Sequence, residues 1–145
     1  MKMVTFEVKN VVLPPLDFTK VEKWLGEIAG SFNRKITNLN YLFCDDEEIL
    51  RVNRQFLNHD YFTDIITFDY SHRNKVAGDL FISLDTVRTN SEELGVSNTS
   101  ELLRVIVHGL LHLCGINDKA PGEREIMEQY ENRALELWSQ LNKFS

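Results

Sequence analysis

The apolar positions of this chain recur with a strand-like period in some segments and a helical period in others. Strand-like segments are MVTFEV, KITNLNYLFC, DIITFDY and AGDLFISL, which cover residues 3–8, 35–44, 64–70 and 77–84. Two prolines break the pattern after the first segment. The third and fourth are joined by the short polar run SHRNK, which predicts that they pair as antiparallel neighbours.

Helical spacing predicts five helices, near residues 17–32, 46–58, 85–95, 98–114 and 121–141. Three of these segments open on the pattern of a capping box, formed by Thr19 with Glu22, Asp45 with Glu48, and Asn98 with Glu101. Gly95 is expected to end the third helix. The fourth helix has apolar residues around most of its circumference, so we expect it to be buried among other elements.

The order of these elements predicts an α+β domain in which about five helices stack on a small, mixed, four-stranded sheet. The chain has 145 residues, of which 43% are apolar and 26% charged. It shows no linker-like segment and no repeat, so we interpret residues 1–145 as a single domain. No run reaches the ~18 apolar residues of a membrane span, and we expect a cytoplasmic protein. Cys44 and Cys114 lie in apolar sequence, which favours inert core thiols.

The formal net charge of −6 argues against a protein whose main affinity comes from wrapping nucleic acid in basic side chains. It leaves room for a local basic patch. Candidate pairs for such a patch are Arg34 with Lys35, Arg51 with Arg54, and Arg73 with Lys75.

The segment HGLLHLCGIND, residues 108–118, carries the candidate chemistry. Positions four apart differ by about 40° around a helix, so His108 and His112 should stand on one face, as two ligands of one zinc ion do. Gly115 can end the helix and let the chain fold back, so that Asp118 supplies an oxygen. Three protein ligands with a fourth position left for water is the arrangement of a catalytic zinc site. Cys114 would point away from the histidines.

Two other interpretations of this segment stay open from spacing alone. Histidines in an apolar helix also occur as hydrogen-bonded core residues, and Asp118 could be the N-cap of the last helix. A metal would satisfy two imidazole nitrogens at once, which buried histidines without a shared partner would not achieve.

HGLLHLCGIND resembles the signature of the YbeY family of bacterial rRNA maturation endoribonucleases, His-Gly-x-x-His-Leu-x-Gly-x-x-x, whose last position is usually a third histidine. The upstream VNRQFLNHDYFTDIITF is similar to the family's second motif, Leu-Asn-x-x-Tyr-Arg-Gly-x-Asp-x-x-Thr-Asp-Val-Leu-Ser-Phe, and AGDLFIS to its Leu-Gly-Asp-Ile-x-Ile-Ser. The resemblance implies a zincin-like fold with a central histidine helix. It also implies one Zn²⁺ per chain, held by His108, His112 and Asp118.

This sequence departs from the family pattern at two positions. Asp118 stands where the family usually has its third histidine, and Leu57 stands at the position of an arginine implied to stabilise phosphate charge. His59 could take a proton-transfer role, and Asn58 and Lys119 are weaker candidates for contacting phosphate.

Four further residues of the motifs are expected to have a structural or supporting role more than a catalytic one. Thr63 and Asp64 should fix the loop that leads into the third strand, and Gly78 with Asp79 should form a bend near the site. Gly109 replaces the glutamate that metalloproteases carry after the first histidine, which disfavours a peptidase.

The function that the resemblance implies is metal-assisted cleavage of RNA phosphodiester bonds by a zinc-dependent, single-strand-specific endoribonuclease. The sequence is compatible with hydrolysis and with activation of the ribose 2′-OH. Its expected role is maturation of ribosomal RNA, at the 3′ end of the small-subunit RNA, and ribosome quality control. The expected partners are rRNA within ribosomal particles and ribosomal proteins, without a membrane. The alternative is a metal-stabilised ribosome-assembly or RNA-binding factor with weak or no nuclease activity, motivated by Leu57.

Overall fold

The structure is a computed structural model and describes residues 3–58 and 63–143. Within these ranges the strands are β1 (Val4–Val8), β2 (Lys35–Cys44), β3 (Ile65–Asp69) and β4 (Lys75–Ser83). The helices are α1 (Phe18–Ser31), α2 (Asp46–Val52), α3 (Leu84–Leu94), α4 (Asn98–Leu113) and α5 (Glu123–Lys143). The predicted α+β class is confirmed: each predicted strand coincides with one observed strand, and each of the five predicted helical segments overlaps one observed α-helix.

The strands form one mixed sheet in the order β1-β2-β4-β3. β1, β2 and β4 are parallel, and β3 runs antiparallel to β4 as the short connection between them predicted. Alternate residues of β4 are buried, including Leu80 and Ile82, as expected for a strand that packs one face on helices. Phe81 lies between them in sequence and therefore faces the opposite side.

The main core lies on the face of the sheet that contacts α4. This helix is buried over most of its surface, which confirms the prediction from its apolar circumference. The buried hydroxyl of Tyr41, on β2, donates a hydrogen bond of 2.7 Å to the carbonyl of Ile106 and ties α4 to the sheet. On the other side of the helical layer, Trp24 Nε1 donates to the carbonyl of Ala134 at 2.7 Å and joins α1 to α5. α1 and α5 are thus tied to each other, and both contact α4, which also packs on the sheet.

A second, smaller core lies on the opposite face of the sheet. Its buried members come from β2, β3 and α2 and are Cys44, Ile49, Val52 and Ile66. Phe68 and Phe81 are partly buried and pack against them. α2 ends at Val52 and continues as a π-helical turn, Asn53–Leu57, which the apolar spacing did not predict. Asn58 closes this turn in the left-handed conformation, with φ of 55°.

Two of the predicted helix ends have the geometry that their residues favour. The side chain of Asp45 accepts a hydrogen bond from the backbone N–H of Glu48 at 2.9 Å, so it is the N-cap of α2. Gly95 follows α3 with φ of 69°, where glycine avoids the cost of a Cβ. Both predictions are confirmed.

Two predicted caps are wrong by one or two residues. The N-cap of α1 is Asp17 and not Thr19, and the N-cap of α4 is Ser97 and not Asn98. In each case the side-chain oxygen accepts from the backbone N–H three residues further on. An N-cap must itself be extended, and Thr19 and Asn98 are already inside their helices.

The two cysteines are free and buried, as predicted. Burial raises the pKa of the Cys44 thiol to about 12 and that of Cys114 to about 11, so both are held as neutral thiols. Among the helices of the described ranges, none combines the length and apolar character needed to cross a membrane.

Candidate metal centre

α4 brings His108 and His112 together on one face, as their spacing predicted. Their Nε2 atoms lie 3.0 Å apart, and the two rings are nearly perpendicular, at 86°. Both side chains are partly exposed, with 22% and 29% of their surface accessible. The pair is therefore open on one side, which a pair of core histidines would not be.

The chain turns back directly after this helix. Gly115 has φ of 96°, and the N–H groups of Gly115 and Ile116 donate to the carbonyls of His112 and Leu111, which is the pattern of a Schellman motif. The turn places Asp118 Oδ2 3.4 Å from Nε2 of both histidines. Since α5 begins only at Glu123, Asp118 is not its N-cap.

Each of His108, His112 and Asp118 contributes one ligand atom to a group that lies within 4.8 Å. Two imidazole nitrogens and one carboxylate oxygen are donors that zinc accepts, and three protein ligands leave a coordination position open. The residues therefore fit a metal ion. Cys114 belongs to the hydrophobic core and adds nothing to this group.

A fourth residue of the centre, Glu131 on α5, was not predicted from the sequence. Its Oε2 accepts a hydrogen bond of 2.7 Å from Nδ1 of His108, and its Oε1 accepts one of 2.9 Å from Arg104 Nη1. Metal-binding histidines commonly donate their second N–H to such a carboxylate, which fixes the tautomer and the ring orientation. The one signal in the sequence was an acidic residue on the apolar stripe formed by Met127 and Ala134.

The electrostatics of the pair differ between its two histidines. Burial by itself lowers the pKa of His108, but the hydrogen bond and charge of Glu131 outweigh it and raise that pKa above its ordinary value. The pKa of His112 is lowered by burial and then by the charge of His108. Burial opposes ionisation of Glu131, yet His108 and Arg104 hold its pKa below the usual range. Glu131 is thus an anionic partner behind His108.

The loop residues Thr63 and Asp64 contact the strand ends. Thr63 Oγ1 donates to the carbonyl of Ile65 at 3.4 Å, and the carbonyl of Asp64 accepts from the N–H of Ser83 at 2.9 Å. Burial raises the pKa of the Asp64 carboxyl, and the charge of His108 partly offsets the effect. These contacts agree with the structural role expected for both residues.

The expected bend at Gly78 and Asp79 is wrong, because both residues lie inside the continuous strand β4. Gly78 serves close packing instead: a Cβ there would lie 2.7 Å from the carbonyl oxygen of Phe68 and 3.0 Å from a methyl group of Leu113. Asp79 accepts a hydrogen bond of 3.0 Å from Asn40 Nδ2 on the neighbouring strand.

The other site candidates among the described residues do not belong to the ligand group. Lys119 is exposed beside Asp118, and Leu57, with 38% of its surface accessible, ends the π-helical turn. Asn58 follows that turn. His59 lies outside the described residues.

Gly109 has a packing role that its sequence context did not reveal. A Cβ at this position would overlap Leu80 Cδ2 and lie 2.9 Å from Ile65 Cδ1. No larger side chain fits between the helix and the sheet without displacing these groups. The glutamate that acts as general base in metalloproteases has no room at this position.

The fold and the centre together define a class: an α+β protein with a buried helix whose two histidines converge with a carboxylate on one position that could hold a metal ion. The family model described as Endoribonuclease YbeY matches residues 7–139. This match covers most of the chain, and the chain belongs to the YbeY family.

Similar proteins agree with this assignment. A protein of Bacteroides thetaiotaomicron named Endoribonuclease YbeY is 54% identical over 134 residues, which cover 92% of this chain and 98% of that protein. The protein of the same name from Porphyromonas gingivalis strain W83 is 46% identical over 135 residues, or 93% of this chain and 89% of that one. The solution structure of TM1509 from Thermotoga maritima has a similar fold, with a TM-score of 0.61 and 23% identity over 98% of this chain and 95% of that one.

Proposed function

We propose that this protein is a zinc-dependent, single-strand-specific endoribonuclease that acts in the maturation of ribosomal RNA. The observation that carries the proposal is the convergence of His108, His112 and Asp118 at one open position. Relatives that are about half identical over nearly their whole length are named endoribonucleases, which supports RNA as the substrate.

Residues of the protein would bind the metal, orient one of its ligands and transfer a proton. His108, His112 and Asp118 would hold one Zn²⁺ per chain, and Glu131 would orient His108. A Zn²⁺ ion bound there would supply Lewis acidity toward the phosphoryl group of the substrate. The partly exposed faces of the two histidines leave room for a phosphodiester to approach. His59 is proposed as the proton-transfer residue from its sequence position alone.

The proposed setting is the cytoplasm, where the enzyme would process the 3′ end of the small-subunit rRNA within ribosomal particles and contribute to ribosome quality control. Ribosomal proteins are proposed as further partners. This setting is what the family resemblance of the three motifs implies, and the names of the relatives support the endoribonuclease activity on which it depends.

A second candidate function rests on Leu57. If the arginine of the family motif is needed to stabilise phosphate charge, this chain would bind RNA and metal with weak or no cleavage, as a ribosome-assembly factor. Leu57 is apolar and partly exposed, so it cannot supply that charge.

The first experiment measures the metal content of the purified protein by elemental analysis after zinc is supplied. We expect about one zinc per chain in the native protein and its loss in His108→Ala and Asp118→Asn, because each variant removes one of three ligands. His72→Ala is the matched control, since His72 is exposed and lies outside the ligand group. A native protein without zinc would contradict the metal centre.

The same proteins are then incubated with single-stranded and double-stranded RNA that contains the 3′ end of small-subunit rRNA. We expect native protein and His72→Ala to cleave the single-stranded form, and the two ligand variants to lose that cleavage. Zinc binding without any cleavage would favour the assembly-factor function.

A further inference from the structure

Two basic pairs that are far apart in sequence form one corner of the molecule. We call Arg34, Lys35, Arg73 and Lys75 the basic corner. Lys35 and Lys75 are register partners at the starts of the parallel strands β2 and β4. The N–H of Lys35 donates to the carbonyl of Asn74 at 2.8 Å, and Arg34 Nη1 donates to the carbonyl of Arg73 at 3.2 Å. These bonds hold the β3–β4 hairpin tip against the turn before β2.

The charges of the basic corner are not neutralised by carboxylates of the described residues. Some other cations of the described ranges do pair with carboxylates, as Lys9 and Arg51 do with Glu48 and Arg104 with Glu131. In the same part of the chain, no side chain of the basic corner makes an ion pair with a carboxylate. Like charges placed opposite each other on adjacent strands destabilise the folded state. The corner therefore carries an unfavourable arrangement that a bound polyanion would relieve.

The basic corner adjoins the end of the helix that carries the histidines. Arg34 Nη2 would lie 3.6 Å from a Cβ on Gly115, the residue at which the chain turns back toward Asp118. One end of the basic corner thus lies at the turn that leads from His112 to Asp118. The whole chain has a net charge of −6, so this local cluster of cations stands out against an acidic protein.

We propose that the basic corner binds the phosphodiester backbone of the RNA strand that enters the metal centre. This inference rests on the proposed function and adds a position for the substrate. Phosphates of a flexible single strand can follow an exposed row of cations, and each contact releases condensed counterions. Such contacts position the strand and carry no base specificity.

The test compares two double variants that remove the same charge. Lys35→Gln/Lys75→Gln takes two cations from the corner, whereas Lys23→Gln/Arg88→Gln takes two exposed cations from α1 and α3. Affinity for a single-stranded RNA is measured over a range of salt concentrations. We expect the corner variant to bind RNA roughly tenfold more weakly than the native protein. The slope of log affinity against log salt concentration should be smaller in magnitude by roughly 1.4, because each lost phosphate contact on a single strand removes about 0.7 from it. The control should bind as the native protein does.

Cleavage kinetics separate this inference from the proposed function. The corner variant should raise KM and leave kcat unchanged, since the lost contacts act on binding and not on the reacting phosphate. A native protein that cleaves RNA while both double variants bind alike would overturn the basic corner alone. A fall in kcat at constant KM would also overturn it. A native protein that neither binds nor cleaves RNA would overturn both.

Unfolding measurements test whether the corner variant binds RNA more weakly only because its fold is less stable. Because Lys35 and Lys75 repel each other, their replacement should leave stability at low salt unchanged or slightly increased. Weaker RNA binding that accompanies a loss of stability would count against the proposal, since the effect would then arise from the fold.

Discussion

His108 and Glu131 are joined by a hydrogen bond of 2.7 Å between Nδ1 and Oε2, although 23 residues separate them in the chain. With Nδ1 as the donor, Nε2 of His108 faces His112 and Asp118. The second oxygen of Glu131 is held by Arg104, so the carboxylate cannot turn away from the imidazole without losing an ion pair. The centre therefore depends on α5 as well as on α4.

Replacement of Glu131 by glutamine should weaken zinc binding by about 10–100-fold, the range typical for the loss of a carboxylate behind a metal-binding histidine. Zinc affinity is measured by competition with a chelator of known affinity. Glu128→Gln is the matched control, because Glu128 is exposed on the same helix. Equal zinc affinities in the two variants would show that Glu131 does not orient the ligand.

Replacement of Gly109 by alanine should destabilise the protein by about 1–3 kcal/mol, because the added methyl group overlaps Leu80 and crowds Ile65. The free energy of unfolding is measured in urea on the zinc-free protein. Gly26→Ala is the control: Gly26 lies in α1 with no atom near its Cβ position, so alanine should stabilise by about 0.5–1 kcal/mol. If Gly109→Ala had the same free energy of unfolding as the native protein, α4 would have to be able to shift on the sheet.

Replacement of Leu57 by arginine should raise the rate of RNA cleavage at least about tenfold if the centre is intact, because one well-placed donor can contribute a factor of 10²–10³. Leu94→Arg adds the same charge at an exposed position of α3 and should leave the rate unchanged. Zinc content is checked in both variants. Retained RNA binding without any gain in cleavage would favour the assembly-factor function.

Replacement of Glu48 by glutamine should destabilise the protein at neutral pH and much less in acid. Glu48 accepts two hydrogen bonds of 2.8 Å from Arg51 and a third from Lys9. These bonds hold the pKa of Glu48 below its ordinary value, although burial acts in the opposite direction. Because the folded-state pKa is the lower one, this stabilisation is complete above the ordinary pKa. It is lost as the pH falls through the folded-state value.

The measurement is the unfolding free energy of native protein and Glu48→Gln between neutral pH and about pH 3. The difference between the two should shrink as the pH falls below about 4. Glu47→Gln, at the exposed neighbouring position, provides the control and should show no such trend. A difference for Glu48→Gln that stays constant with pH would contradict the role of these ion pairs.

The sequence by itself determined the features that depend on neighbouring residues. β2 was predicted with the bounds Lys35–Cys44 that it has, because apolar spacing and strand propensity act over a few positions. The common face of His108 and His112 follows from the helical period, and the return of the chain at Gly115 from the freedom of glycine. The errors at Thr19 and Asn98 are small for the same reason, since a cap depends on where the first helical residue falls.

Only the tertiary structure decided which distant residues meet. Glu131 reaches His108 because α5 packs along α4, and no spacing within either helix encodes that distance. Arg34 and Lys35 join Arg73 and Lys75 because β2 and β4 are adjacent in the sheet although β3 precedes β4 in the chain. Local periodicity fixes the direction of a side chain from its own element. Its partner across space is fixed by the packing of elements, which depends on the whole chain.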